Sequence, residues 1–212
     1  MTRAPGWCAV ILAAGESARM GTDKALLPWP PYRAGAQSGG QTFLSAAIQS
    51  LNPFSDLVIV VAGKNESQLA PVVYAEGAFV VRNPAPARGQ FSSLQVGLQE
   101  VLNHGRDAAI VTLVDRPPVS SHTLSTLCAA FVDAAPGTWA VVPECGGKHG
   151  HPVLLGREMI AAFLNAAPTS NAREIEHQYQ HHIKYVAVDD PAVAMNVDTP
   201  QDYGALSLPP SK

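Results

Sequence analysis

Trp7-Cys8-Ala9-Val10-Ile11-Leu12-Ala13-Ala14-Gly15-Glu16-Ser17-Ala18-Arg19-Met20-Gly21-Thr22-Asp23-Lys24-Ala25-Leu26-Leu27-Pro28 is the stretch on which the reading of the fold turns. Trp7 to Ala13 is apolar without polar alternation, the pattern of a parallel strand buried on both faces. The run breaks into Ala13, Ala14 and Gly15. Small side chains there leave backbone N–H groups uncovered, and glycine permits the dihedrals that an anion cradle needs. Arg19 and Lys24 follow as two cations within reach of the same loop. A strand, a small-residue loop and paired cations are what holding and neutralising a triphosphate requires. Two familiar phosphate loops do not fit. The P-loop wants four residues between its glycines and a lysine after the second, whereas five separate Gly15 from Gly21 and Thr22 comes next. The dinucleotide pattern G-x-G-x-x-G fails because Gly15 and Gly21 are the only glycines of the stretch.

Around this opening, the chain of 212 residues is 47% hydrophobic and 15% charged, a composition that buries one sizeable core and reads as a single domain over residues 1–212. The net charge of −3, with Lys and Arg scattered, argues against nucleic acid as a principal partner. Cys8, Cys128 and Cys145 stand singly with no C-x-x-C pair, so neither a disulfide framework nor a zinc site is expected, and a reducing cytoplasm is the simplest setting. No signal-peptide pattern precedes the first strand, and no apolar run approaches the ~18 residues of a membrane span.

Strand-like and helical runs alternate along the chain. Trp29 to Gln41 is rich in Pro, Gly and Ser and reads as an exposed loop. Phe43, Leu44, Ala47, Ile48 and Leu51 lie at helical spacing within Thr42 to Leu51, and Asp56 to Val61 is a buried strand. Residues 65 to 74 read as helix and Phe79 to Arg82 as a short strand. Phe91, Leu94, Leu98, Val101 and Leu102 mark the core stripe of a further helix, followed by the very apolar strand Ala108 to Val114. Ser120 or Ser121 can cap a helix carrying Leu124, Leu127, Cys128 and Phe131. Trp139 to Val142, His151 to Leu155 and Ile183 to Val188 are the remaining strands. This order predicts an α/β fold, a three-layer, mostly parallel Rossmann-like sheet with helices on both faces.

Two acidic motifs stand out against that fold. In Val114-Asp115-Arg116-Pro117-Pro118, Asp115 ends a buried parallel strand, where open α/β sheets bind ligands. Its carboxylate is a hard oxygen ligand of the kind Mg²⁺ prefers, although a turn aspartate before two prolines accounts for it equally well. In Asn196-Val197-Asp198-Thr199-Pro200-Gln201-Asp202, a helix start explains Thr199 as N-cap, Pro200 at the first position and Asp202 three residues after the cap. Asp198 is left unexplained and free to point into the crevice.

Leu12 to Pro28 resembles the signature of the MobA-like nucleotidyltransferases, roughly L-A-A/G-G-x-S-x-R-M-G-x-x-K-x-L-L-P, with Ser17, Arg19, Met20, Gly21, Lys24, Leu27 and Pro28 in register. The resemblance runs to Tyr203 and implies a nucleotide-diphospho-sugar transferase-like fold. It implies that Leu12, Ala13, Ala14, Gly15, Arg19 and Lys24 meet a nucleoside triphosphate. Asp115, in the family's L-V-D-x-P, and Asp198, in its I/V-D-T-P-x-D, would share one Mg²⁺. Arg116 stands where Gln is frequent, and residues 29–41 resemble an insertion. Asn83-Pro84 with Gly89, Ser92, Ser93, Leu94 and Gly97 is similar to a family stretch that approaches the nucleotide, although helix capping by Ser92 explains that serine as well. Gly150-His151-Pro152 is similar to a G-H-P segment on the acceptor side, where His149 and His151 could meet an acidic acceptor. Arg173 matches an arginine of that side, and His181-His182 reads as surface.

The implied reaction is attack by an acceptor phosphate oxygen on the α-phosphorus, with loss of pyrophosphate. Leu12-Ala13-Ala14-Gly15 resembles the cytidylyltransferases of the molybdenum cofactor more than the guanylyltransferases, which favours CTP over GTP and molybdopterin as acceptor. Molybdenum cofactor guanylyltransferases, sugar-phosphate and methylerythritol-phosphate cytidylyltransferases share the opening motif. A reading of another class is a non-catalytic nucleotide-binding partner of a molybdoenzyme or its maturation factor, against which the two aspartates speak.

Overall fold

The computed structural model describes residues 6–15, 21–31 and 40–206. Its strands are β1 (Trp7–Ala13), β2 (Leu57–Ala62), β3 (Phe79–Arg82), β4 (Ala108–Leu113), β5 (Ala140–Cys145), β6 (Lys148–His149), β7 (Val153–Gly156) and β8 (Ile183–Ala187). They form one sheet in the order β3-β2-β1-β4-β7-β5-β6, with β8 pairing β5. The helices are α1 (Phe43–Leu51), α2 (Glu66–Ala75), α3 (Gln90–Asn103), α4 (Ser121–Val132), α5 (Arg157–Asn165), α6 (Ala172–Gln178) and α7 (Pro200–Ala205).

The unalternated apolar run of β1 has its reason in this arrangement. Successive side chains of a strand point to opposite faces. Ala9, Ile11 and Ala13 pack on one face with Leu44 and Ile48 of α1, Leu69 and Val73 of α2, and Leu124 and Leu127 of α4. Cys8, Val10 and Leu12 pack on the other with Leu94 and Leu98 of α3 and Met159, Ile160 and Phe163 of α5. Both faces are covered, so every position from Cys8 to Ala13 must be apolar; each is at most 7% exposed. The three layers predicted from the alternation of elements are thus present.

Parallel pairing sets the site. β1 lies between β2 and β4, with Leu12 opposite Val61 on one side and Leu113 on the other. The carboxyl ends of these strands therefore come out side by side. The sheet departs from parallel at β7, which runs antiparallel to both β4 and β5. The cause is local: Gly146 and Gly147, both at positive φ (57° and 75°), make the two-residue turn that β5 and β6 need to pair as a hairpin. The chain returns along the edge of β5 before entering the sheet as β7.

Caps fix several boundaries. Thr42 and Ser45 form a reciprocal capping box on α1, Ser120 accepts from Thr123 N at the start of α4, and Thr199 and Asp202 form a box on α7 with Pro200 at its first turn. The Pro- and Gly-rich segment after Pro28 is closed at its base by Trp29 N donating to Gln41 O at 2.9 Å. Its residues 32–39 lie outside the described residues. Among the described residues, no helix is long and apolar enough to cross a membrane.

Gly97 lets α3 approach the sheet. A Cβ there would lie 2.6 Å from Val10 Cγ1 and 2.9 Å from Val61 Cγ2, and these β-branched side chains have little rotamer freedom to move aside. Gly97→Ala is expected to lower stability by about 1–3 kcal/mol from overpacking, more than the up to ~1 kcal/mol that alanine gains in a helix interior. Urea unfolding of the two proteins checks the sign.

Candidate active site

Three loops meet beyond the carboxyl ends of β1 and β4. Val114 N donates to Leu12 O at 3.1 Å, which continues the β1–β4 pairing and sets Asp115 beside Ala14 and Gly15. Val197 N donates to the Asp115 carbonyl at 2.9 Å, which brings Asp198 to the same place. They enclose a cleft of about 600 Å³ whose walls include Leu12, Ala14, Gly15, Lys24, Ser93, Asp115 and Asp198, with Pro86, Ala87, Gly89 and Gln90 along the side facing α3.

Lys24 is the charged centre. It opens the 3₁₀ turn Lys24–Leu26, which is capped by the Asp23 carboxylate accepting from Ala25 N. Its Nζ donates to Asp198 Oδ1 at 2.9 Å and lies 3.8 Å from Asp115 Oδ2. Burial pushes the Asp115 carboxyl above the ordinary carboxylate range; the Lys24 and Arg116 charges oppose this, Asp198 adds to it, and the balance is upward. Asp115 Oδ1 is buried with no hydrogen-bond partner among the described residues. Asp198 is placed by the turn that follows it. Asp202 Oδ2 accepts from Asp198 N at 3.0 Å and from Thr199 N and Oγ1, each at 2.8 Å. Hydrogen bonds from Thr199 and from the Asp198 N–H hold the Asp202 carboxyl below its usual range.

This donor set fits a hard divalent cation. Two carboxylates converge on a positive charge, and one of them offers a buried oxygen with no hydrogen-bond partner among the described residues. Cations such as Mg²⁺ are commonly bound by one or two carboxylates with substrate phosphates completing the shell. That agrees with the lack, among the described residues, of any group of three or more His, Cys, Asp or Glu side chains arranged to hold a metal.

The remaining sequence-derived residues fall into distinct places. Arg19, with Ser17 and Met20, lies outside the described residues. Ala13 is 1% exposed and lies behind the cradle, not on its surface. Asn83 and Ser92 are also behind the wall, 2% and 6% exposed. Asn83 Nδ2 donates to Ser92 Oγ at 2.8 Å and to Ser93 Oγ at 2.9 Å, so it holds Ser93 against the cleft. Ser92 does not cap α3: Gly89 occupies the N-cap position, and Ser92 Oγ donates back to the Gly89 carbonyl. Arg116 spends its guanidinium on backbone, with Nη1 donating to Val193 O at 3.1 Å and Met195 O at 3.3 Å. It thereby ties the end of β4 to the segment leading into Asp198.

His151 lies on the far side of that segment. Its N–H donates to Val193 O at 2.9 Å, and a Cβ on Gly150 would sit 1.7 Å from the same oxygen. Burial, with the Arg116 charge behind it, pulls the His151 pKa down to about 3. The imidazole is therefore neutral at physiological pH, able to hydrogen-bond an acceptor but not to attract it as a cation. His149 is exposed, stacked on Tyr185 with ring centroids 4.1 Å apart and paired with Glu144 at 3.2 Å. Arg173 is exposed on α6; burial pushes the Glu176 carboxyl up, and the charges of Arg173 and His149 oppose this, so α6 and the β5–β6 hairpin are neighbours. Neither Arg173 nor His151 reaches the wall of the cleft. The sequence reading passed over Asp23 and Asn65, although Asp23 stands directly before Lys24 and Asn65 just beyond the carboxyl end of β2.

A family model for the MobA-like NTP transferase domain matches residues 9–183. The chain belongs to this family. A probable molybdenum cofactor guanylyltransferase of Rhodopirellula baltica is 28% identical over 94% of this chain and 91% of its own. The molybdenum cofactor cytidylyltransferase of Escherichia coli is 24% identical over 92% of each chain. The crystal structure of Rv0371c from Mycobacterium tuberculosis H37Rv superposes with a TM-score of 0.77 at 29% identity, covering 97% of this chain and 98% of that one. A structure of Rv0371c in complex with manganese superposes with a TM-score of 0.71 at 26% identity, over 95% and 97% of the two chains. In this MobA-like domain the Lys24–Asp115–Asp198 cluster occupies the crevice where open α/β sheets take their ligands.

His151 gives the domain a definite acid response. Its folded pKa of about 3 lies below the unfolded value of about 6.5, so the unfolded chain binds the extra proton between those limits. The stability contributed by neutral His151 is complete above about pH 6.5 and is lost as pH falls toward 3. Urea unfolding of the wild type and His151→Gln at pH 7.5, 6 and 4.5 is expected to show the wild type losing its advantage as pH falls.

Proposed function

We propose that this MobA-like domain transfers CMP from CTP to the terminal phosphate of molybdopterin or the molybdenum cofactor, releasing pyrophosphate. The observation that carries the proposal is the meeting of Lys24, Asp115 and Asp198 beside the uncovered Ala14-Gly15 backbone in one cleft. Lys24 and Arg19 would hold the triphosphate against that backbone. Asp115 and Asp198 would carry a divalent cation, magnesium by preference, whose contribution is to neutralise charge on the phosphate oxygens.

The chemistry asks little covalent work of the chain. An oxygen of the acceptor phosphate attacks the α-phosphorus in line; the bond from the α-phosphorus to the bridging oxygen of the β-phosphate breaks, and pyrophosphate carries the electron pair away. The nucleophile is already an anion, so no general base is needed, and rate comes from positioning and charge stabilisation. The acceptor would enter from the side of His151 and Arg173, with His151 as a neutral hydrogen-bonding group and Arg173 as the cation. A molybdoenzyme or its maturation factor would then receive the product in the cytoplasm. A nucleotide-binding partner without turnover would have no use for two carboxylates on one phosphate site.

Ala14 supports CTP. It lines the cleft and is pressed by Gly63, where even a Cβ would come within 2.8 Å of the Ala14 carbonyl. The loop therefore has no room to yield toward Gly63. One methyl group discriminates by about 1–3 kcal/mol. The guanylyltransferase names among the relatives favour GTP as the second reading. Calorimetry with CTP, GTP, ATP and UTP, each with and without Mg²⁺, separates the two: tighter binding of CTP, strengthened by Mg²⁺, is expected, and preference for GTP would replace the first reading with the second. Asp115→Ala and Asp198→Ala are expected to cut pyrophosphate release by about a hundredfold or more, and full turnover in either would remove the metal assignment.

A further inference from the structure

Asn65 stands at the N-cap position of α2, a place where asparagine usually accepts a hydrogen bond from the first turn of the helix. Here it makes no side-chain cap bond. Its amide is engaged elsewhere. Nδ2 donates to Ala13 O at 3.0 Å and to Asp23 Oδ2 at 2.6 Å, and Oδ1 accepts from Gly63 N at 2.9 Å. Both donor hydrogens and the acceptor oxygen of the amide are thus committed, each to a different segment: the end of β1, the loop before Lys24 and the end of β2. Asp23 in turn uses its other oxygen, Oδ1, to accept from Ala25 N at 3.0 Å, which caps the turn that begins with Lys24.

The geometry points to Asn65 as a positioning residue for Lys24. It orients the Asp23 carboxylate, the carboxylate fixes the 3₁₀ turn, and the same amide grips the Ala13 carbonyl next to the Ala14-Gly15 cradle. Lysine and cradle are therefore held in register by one side chain that does not line the cleft. A hydrogen-bonded amide between two polar segments suits this role because it is neutral, with donors and acceptor fixed in one plane, and adds no charge beside the phosphates. The inference rests on the reading that Lys24 and this backbone hold the triphosphate of a nucleotide.

Asn65→Asp is the sharpest test, since it keeps the shape and replaces the two donors with a carboxylate facing Asp23 and the Ala13 carbonyl. Mg²⁺–CTP affinity at pH 8 is expected to fall about tenfold or more, the cost of turning a charge-assisted hydrogen bond into a repulsion. Lowering the pH toward 5.5 lets the two carboxyls share a proton, so the deficit relative to wild type at each pH is expected to shrink. The exchanged pair Asp23→Asn with Asn65→Asp restores a donor opposite an acceptor and is expected to recover most of the affinity. Where Asn65→Asp does not fold, Asp23→Asn carries the same test with the bonds of Asn65 to Ala13 and Gly63 intact.

Wild-type affinity in Asn65→Asp at every pH, or an exchanged pair no better than the single variant, would overturn the positioning role. Amide hydrogen exchange at Ala25, measured without any ligand, separates this from a failure of the functional reading. Faster exchange in Asn65→Asp with recovery in the exchanged pair supports the positioning role even if the wild type binds no nucleotide, and unchanged exchange overturns it even if it does.

Discussion

The hydrogen bond from Val197 N to the Asp115 carbonyl, 2.9 Å long, is the contact on which the site depends, because it brings together two carboxylates that repel one another. Asp198 raises the Asp115 pKa, as burial does, so left to electrostatics the two loops would part. Three features oppose that. Lys24 places a cation between the carboxylates, at 2.9 Å and 3.8 Å. Arg116 clamps the carbonyls of Val193 and Met195. Asp202 gathers the Asp198 and Thr199 N–H groups and the Thr199 hydroxyl on one oxygen. The segment from Val193 to Asp202 is in this way built as a bracket for a single side chain.

Most of the fold was legible because it depends on short-range patterns. A strand covered on both faces must be apolar throughout, which β1 and β2 show, and α1 and α3 present their core residues at helical spacing. The capping residues of α4 and α7 are local chemistry and were found where the sequence placed them. The direction of β7 was not legible. It follows from a two-glycine turn whose consequence is felt only when the strand takes its place between β4 and β5. Helix α5 was missed although Met159, Ile160 and Phe163 are buried: α1, of the same nine-residue length, buries seven residues, whereas α5 buries only these three. Helix α6 has a single buried residue, Ile175, and so has almost no hydrophobic signal.

Within the site, the residues that carry charge could be picked out and those that orient them could not. Lys24, Asp115 and Asp198 stand at strand ends or beside caps, where a charged side chain has no packing reason to be, and the structure brings all three together. Asn65 gives no such signal, because asparagine after a strand and before a helix has an ordinary explanation as a cap. Only the coordinates show that its side chain turns away from the helix to Ala13, Gly63 and Asp23. Asn83 and Ser92 illustrate the converse. A motif marks the stretch, but all three side chains are buried alike, and only the lining of the cleft shows that Ser93 reaches it while Asn83 and Ser92 support it from behind.

Arg116 shows how far charge and hydrogen bonding can be separated at this site. A glutamine amide has two donors and could serve the carbonyls of Val193 and Met195 much as one guanidinium nitrogen does here. Arginine adds a fixed positive charge, which lowers the pKa of Asp115 against the upward push of burial and Asp198. It does so at a cost, since Arg116 Nε is buried with no partner among the described residues, and a buried donor left unpaired is unfavourable by about 1–3 kcal/mol. The charge also reaches His151, where it adds to burial in keeping the imidazole neutral. One side chain thus favours the ionised form of Asp115 on the cleft side of the Val193–Asp198 segment and the neutral form of His151 on the other.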